Sequence, residues 1–472
     1  MVYAEQRWHY SWVFPILIVA ACLGIVVSYS PMLAFAALGG VALLLLTCKY
    51  PEIFVVLTLF TTFMKSIFVP GLAIGTLGAT PYMVFEGLAI VGMTWQIITK
   101  QRKLILPAGI PFLLFYMLFM TLSLLIVDNI QSVFGAFMRL TLDWSLMFLL
   151  VQMIYDRRSL KWLIDVLLIQ GLAMVLWGIG SGLALEKLGL RTRELFLWDQ
   201  LQKNDYAAYL ALVAVITLAV FLTEERSWLK KYGALLLLAM TPMAWIFTYS
   251  RGGLLAIGIA VITFLLLEGY KPAIIRTVRI LLVLGFIAVV GVSAVSSSSR
   301  TLVIDSFRSL VGVEVETYRH VDTIEFRIEL AQAAFTVLAK HPLFGVGFNQ
   351  WQYYSPIKTR IYEVQSKEFK EVGYSIHNLP LSMATNNGIF ALIAYLCFVG
   401  TLIGTSLKLR NYADFQQRIY LQAILAAVIG FQVALQFAPS VLWEWPAMGI
   451  LAGALHTVQI TTGSTQIGSH RL

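Results

Sequence analysis

The sequence predicts an all-α polytopic membrane protein of about 12–14 transmembrane helices, with one large ordered outer loop containing an amphipathic helix. Three observations carry that expectation. Of the 472 residues, 59% are hydrophobic and 12% charged, about half the charged fraction of a soluble domain. The mean hydropathy is +0.80, and the apolar residues gather in runs able to cross a bilayer, which takes about 20 residues apiece. Lys and Arg cluster in short segments between these runs, which is how membrane topology is encoded. Together these exclude a soluble enzyme and a disordered scaffold. They also argue, despite a net charge of +9, against nucleic acid as a partner.

Taken in order, the candidate spans lie at about 11–29, 31–48, 52–69, 80–99, 107–127, 133–155, 160–182, 206–223, 232–250, 252–268, 280–296, 378–407, 418–437 and 441–460. The first is followed at once by another and has no small-residue cleavage site, so it reads as a retained span. If every run spans, eighteen cations fall on one side: Arg7, Lys49, Lys100, Arg102, Lys103, Arg157, Arg158, Lys161, Arg226, Lys230, Lys231, Lys271, Arg276, Arg279, Lys408, Arg410, Arg418 and Arg471. The other side's short loops and span ends hold seven: Lys65, Arg139, Lys187, Arg191, Arg193, Lys203 and Arg251. The positive-inside rule then puts both termini in the cytoplasm. The chain divides into N-terminal transmembrane helices (1–182), central helices with an outer loop (183–296, loop 183–205), a large outer loop (297–377) and C-terminal helices (378–472).

The long outer loop is expected to be ordered. Ile324, Ile328, Ala331, Phe335 and Leu338 recur at helical spacing opposite Glu325, Glu329, Gln332 and Thr336, an amphipathic pattern with the first set as its apolar face. Pro342 ends the helix, and Gly345 and Gly347 permit a sharp turn after it.

Several residues stand where chemistry is plausible. Arg251, in Tyr249-Ser250-Arg251-Gly252-Gly253, sits between two spans with almost no loop, where a guanidinium is costly unless paired with an anion. Phosphate is one such anion, since its oxygens match the guanidinium fork; an interfacial snorkelling arginine is the plainer alternative. The two glycines leave room for a ligand or another backbone. Arg191 and Arg193 carry the same ambiguity in the first outer loop, and Arg327 at the border of the amphipathic helix faces either lipid headgroups or a site. Asn204-Asp205 reads as a helix cap. His377-Asn378 stands where the long loop re-enters the membrane, wet enough to exchange protons; capping of the next helix is its simpler role. Arg139 and Asp143 are four apart, one turn of a helix, so a mutual ion pair accounts for both. Glu86 and Asp165, inside spans, are what would favour a proton-coupled secondary transporter. Cys22, Cys48 and Cys397 lie in or beside apolar stretches and build neither a disulfide framework nor a metal cluster.

In order and spacing these pieces resemble the bacterial O-antigen ligase and polymerase superfamily, over roughly residues 185–405. The matching elements are Lys203-Asn204-Asp205-Tyr206-Ala207, Tyr249-Ser250-Arg251-Gly252-Gly253, Arg327 ahead of His341-Pro342-Leu343-Phe344-Gly345-Val346-Gly347, and His377-Asn378, then nine residues, then Gly388. The sequence around Asn204 is similar to the O-glycosylation ligase branch. Ile389-Phe390-Ala391-Leu392 after Gly388 departs from the small residues of the ligase pattern. The resemblance implies a bacterial inner-membrane enzyme with its site on the periplasmic face. It implies a glycan donor carried on undecaprenyl diphosphate, and as acceptor a hydroxyl on lipid A-core glycan or protein. It implies no cofactor or metal. On that footing His377 is the expected general base. Arg251, Arg193, Arg191 and, more weakly, Arg327 are expected to hold the diphosphate, with Asn378 beside them as a substrate-binding residue. A repeat-unit polymerase of the same superfamily would use the same donor.

Overall fold

The structure, a computed structural model, describes residues 42–64, 80–127, 130–187, 203–223, 227–246, 250–269, 324–363, 368–438 and 443–469, with single positions at 40, 248, 279 and 283. It is an all-α polytopic membrane protein. Six described helices are long and apolar enough to cross a bilayer, and a bent pair makes up to seven. Two shorter apolar helices lie at Ile110–Ile126 and Gly252–Glu268. The expected spans at 11–29 and 280–296 fall outside the described residues, as do Arg191 and Arg193.

Contacts divide the chain into two compact units, residues 1–59 with 74–104 and residues 60–73 with 105–472. In the first, α1 (Ala42–Lys49) and α2 (Pro51–Met64) meet at 97°. Pro51 has no N–H to continue the helical ladder, so the carbonyls before it need other donors. Gln96 of α3 (Pro81–Ile98) supplies two, from Nε2 to the Cys48 oxygen at 3.1 Å and the Lys49 oxygen at 3.3 Å. The side chains of Arg102 and Glu52 pair beside the bend.

The second unit holds α4 (Ile110–Leu122), α5 (Ile130–Met153), α6 (Arg157–Lys187), α7 (Lys203–Thr223), α8 (Trp228–Ile246) and α9 (Arg251–Glu268). Beyond them come α10 (Ile324–Lys340), the single turn α11 (Trp351–Tyr354), the hairpin β1 (Lys358–Glu363) and β2 (Glu368–Gly373), α12 (Leu379–Asn387), α13 (Ile389–Leu409), α14 (Phe415–Ala434) and α15 (Glu444–Ser469). Helices α7 and α14 are the inside of the bundle: their apolar windows are 83% and 78% buried, against 33–50% for the other long spans. α7 is apolar on every side, as a helix with protein all round it should be. It packs against α8, α9 and α14, while α15 packs on α5 and α14, and α4 on α13. At one side of this core Trp445 meets Tyr116, Trp144, Tyr395 and Phe398 with ring centroids 5.6–6.4 Å apart.

The two ends of this bundle carry different groups. At one end Arg157 pairs with Asp414 and Lys230 holds both oxygens of Asp165 at 2.8–2.9 Å. The opposite end, reached along α8 and α14, carries the starts of α7, α9 and α12 and the turn after α14.

Two expectations are corrected here. The amphipathic helix exists as α10, but it buries a different face. Phe326, Leu330, Ala334 and Val337 are buried, whereas Ile328 is 51% and Phe335 61% exposed. The helix carries apolar residues on two sides, and its partners choose between them: Ala334 and Val337 join Val346, Trp351, Ile376 and Leu381 in one cluster. The expected span 378–407 is two helices, α12 and α13, broken at Gly388, whose φ is +88°. The β-hairpin, with Lys358 opposite Gly373 and Glu363 opposite Glu368, was not expected at all.

Candidate functional site

The site is assembled where chain segments arrive at the end of the bundle opposite the cation clusters. At the start of α9, Ser250 has an extended backbone and its Oγ accepts from the Gly253 N–H at 3.0 Å, a side-chain cap for the helix. The same hydroxyl donates to Asn204 Oδ1 at 2.8 Å. Asn204 lies inside the first turn of α7, so its side chain ties two helix starts together rather than capping its own. Trp245 Nε1 donates to the Ser250 carbonyl at 3.0 Å, which closes the tight turn between α8 and α9.

Gly252 and Gly253 are needed for close approach, and the structure shows to what. A Cβ on Gly253 would overlap that of Ala207, and one on Gly252 would lie 2.9 Å from Phe437 Cβ. The room that the sequence suggested for a ligand is filled by α7 on one side and by Phe437 on the other. Arg251 is the first residue of α9, held at this junction through its backbone.

His377 and Asn378 open α12. Asn378 is the cap: its Oδ1 accepts from the Leu381 N–H at 2.9 Å, and its Nδ2 donates to Gln436 Oε1 at 3.0 Å. The Leu379 N–H donates to the Leu435 carbonyl at 2.8 Å. His377, half-buried, is therefore carried on a turn fastened to the chain that follows α14. Arg327, also half-buried, lies in the first turn of α10, its guanidinium carbon 5.9 Å from the centre of the Phe437 ring, within the range of a cation–π contact.

Three of the expected site segments thus meet at the turn Leu435-Gln436-Phe437-Ala438, which the sequence reading passed over as the end of an apolar span. The signal was there: a glutamine and an aromatic residue directly before Ala438-Pro439, where a helix must stop. Gln436 is fixed from its other end too. Its Nε2 donates to the Gln432 carbonyl at 3.2 Å, and Gln432 Oε1 lies 2.9 Å from the Tyr395 hydroxyl, which also bonds Glu444.

The other end of α12 is held as firmly. The loop after α10 returns to it through Val346 N–H to the Thr385 carbonyl (2.9 Å), Gly347 N–H to the Asn386 carbonyl (3.0 Å) and Ile389 N–H to the Pro342 carbonyl (2.9 Å). Asn386 Oδ1 accepts from the Trp351 N–H at 2.9 Å, and Trp351 Nε1 donates to the Tyr374 carbonyl at 2.6 Å. The motif His341–Gly347 and the helix that begins after His377 are one built unit.

Residues 233–396 match the family model described as O-antigen ligase. No curated protein matches the chain. The matched stretch contains Arg251, Arg327, His377, Asn378 and Gly388, and it stops short of the 435–438 turn.

Proposed function

We propose that the O-antigen ligase domain over residues 233–396 belongs to a membrane glycosyltransferase that moves a glycan from undecaprenyl diphosphate to an acceptor hydroxyl. The observation that carries this reading is the meeting of the Arg251 helix start, Arg327 and His377-Asn378 around one turn at one end of the bundle. Cations and a proton acceptor at one place are what such a transfer requires. The acceptor oxygen bonds to the anomeric carbon while the bond from that carbon to the diphosphate oxygen breaks. The hydroxyl proton passes to the His377 imidazole. The negative charge growing on the leaving diphosphate is met by preorganised guanidinium groups, supplied by Arg251 and Arg327 and, from the first outer loop, by Arg191 and Arg193. Asn378 orders the turn that presents His377.

The excess of cations at the far end supports a cytoplasmic location for that end and both termini, and hence a site on the periplasmic face of an inner membrane. The acceptor in this reading is lipid A-core glycan or protein. A gel profile of surface and lipid-linked glycans from a strain lacking the chain tests it. Long chains stranded on the lipid carrier with no transferred product are the expected result. Single repeats still reaching the acceptor would identify a polymerase instead, and unchanged pools would overturn both.

One support for a proton-coupled transporter has a structural explanation. Asp165 and Lys230 form an ion pair at the cation end, each more than a third exposed, and exposed pairs contribute roughly 0–1 kcal/mol. Asp165→Asn is expected to leave glycan transfer unchanged and to move thermal stability by less than about 1 kcal/mol. A transfer activity that vanished with this substitution, or with collapse of the proton gradient, would favour transport.

A further inference from the structure

We infer that Gln436 and Phe437, on the turn after α14, are positioning residues: Phe437 sets the place of Arg327 and of the Arg251 helix start, and Gln436 that of the His377 turn. The inference rests on the proposed transfer from a lipid diphosphate and goes beyond it by dividing the site into two separately supported halves. Phe437 presents two surfaces. Its Cβ packs where Gly252 leaves room, one residue after Arg251, and its ring lies 5.9 Å from the Arg327 guanidinium carbon. It is a shared wall between two cationic helix starts that lie 76 positions apart in sequence (251 and 327). An aromatic ring suits that place because its face attracts a guanidinium without neutralising it, whereas a carboxylate there would cancel the charge that a diphosphate needs. Gln436 works on the other half. Its Oε1 accepts a hydrogen bond from Asn378 Nδ2 at 3.0 Å while its Nε2 donates to the Gln432 carbonyl at 3.2 Å, so the cap that follows His377 is anchored to α14.

The two residues should therefore fail differently. Phe437→Leu keeps the apolar bulk and removes the ring face; Phe437→Tyr keeps the face. Gln436→Ala removes the acceptor for Asn378. The full-length protein in lipid nanodiscs is assayed for binding of undecaprenyl diphosphate and for the rate of glycan transfer from a lipid-linked donor. Phe437→Leu is expected to weaken binding of undecaprenyl diphosphate about fivefold, Phe437→Tyr to restore it, and Phe437→Leu added to Arg327→Gln to weaken it no further. Gln436→Ala is expected to lower kcat about tenfold with binding of undecaprenyl diphosphate unchanged. A general structural defect would instead lower the active fraction of both variants without changing affinity. That result, or additive effects of Phe437→Leu and Arg327→Gln, would overturn the inference while leaving the transfer reading intact. Wild-type protein that neither binds undecaprenyl diphosphate nor transfers a glycan would overturn the transfer reading and the inference with it.

Discussion

His377→Ala is expected to lower glycan transfer about 10²–10⁴-fold, the usual contribution of a general base, with little change in donor KM. The size of the effect follows from the chemistry. An acceptor hydroxyl is a poor nucleophile until its proton has somewhere to go, and imidazole is the side chain whose ordinary titration range brackets neutrality. That the loss should fall on kcat follows from the structure. The Asn378 side chain and the Leu379 N–H fasten this turn to the chain after α14, and those bonds stay when the imidazole is removed. The variant should reach the membrane and elute from a sizing column as the wild type does. A well-expressed His377→Ala protein with full activity would remove His377 as the base and leave the arginines to be tested alone.

Gly388→Ala is expected to give the largest loss of stability of any single methyl addition in this region, more than about 3 kcal/mol. Two costs add. At φ +88° and ψ 167° the backbone lies in a region that is essentially open to glycine alone, which costs other residues about 1–3 kcal/mol. The new Cβ would also overlap the Leu343 carbonyl oxygen and lie 2.8 Å from Phe344 Cα. Both are backbone atoms, which cannot swing aside as a flexible side chain would. Relief requires the 341–347 loop to lift from α12, which breaks the hydrogen bonds from Val346, Gly347 and Ile389 together. Gly400→Ala, in the middle of α13 with nothing within 4 Å of its added Cβ, is the matched control and should be neutral or slightly stabilising. The measurement is the thermal midpoint of the detergent-solubilised protein by size-exclusion fluorescence. Equal midpoints for the two variants would show that the α12–α13 break is not held by this packing.

The membrane class and the ordering of the motifs were legible in the sequence because they depend on composition and spacing. The site residues were legible as candidates for the same reason: a cation or a histidine at the end of an apolar run is conspicuous. What escaped depended on partners far along the chain. The buried face of α10 could not be chosen from periodicity, since Phe326, Leu330, Ala334 and Val337 form as good a stripe as Ile328 and Phe335, and only Val346, Trp351 and Ile376 decide between them. Gly388 showed as a glycine inside a long apolar run, but its positive φ is imposed by the loop that lies on it. The 435–438 turn carried a stop signal in Ala438-Pro439, but it was passed over because neither a glutamine nor a phenylalanine carries chemistry of its own. Its importance is wholly in what it touches. The β-hairpin was missed because its strands are short and their alternation is mixed with charge.

The tie between Asn378 and Gln436 joins residues 58 positions apart, and that separation has a consequence for biosynthesis. A ribosome delivers His377 to the membrane well before it delivers the segment that seats it, with α13 and α14 still to be made in between. Until the turn after α14 has been made, the Asn378 cap lacks its Gln436 partner and the Arg327 guanidinium lacks the Phe437 ring. If the proposed transfer is its activity, competence is reached only in the closing steps of translation. On the proposed transfer reading, a chain released early, after α13, is expected to be inactive.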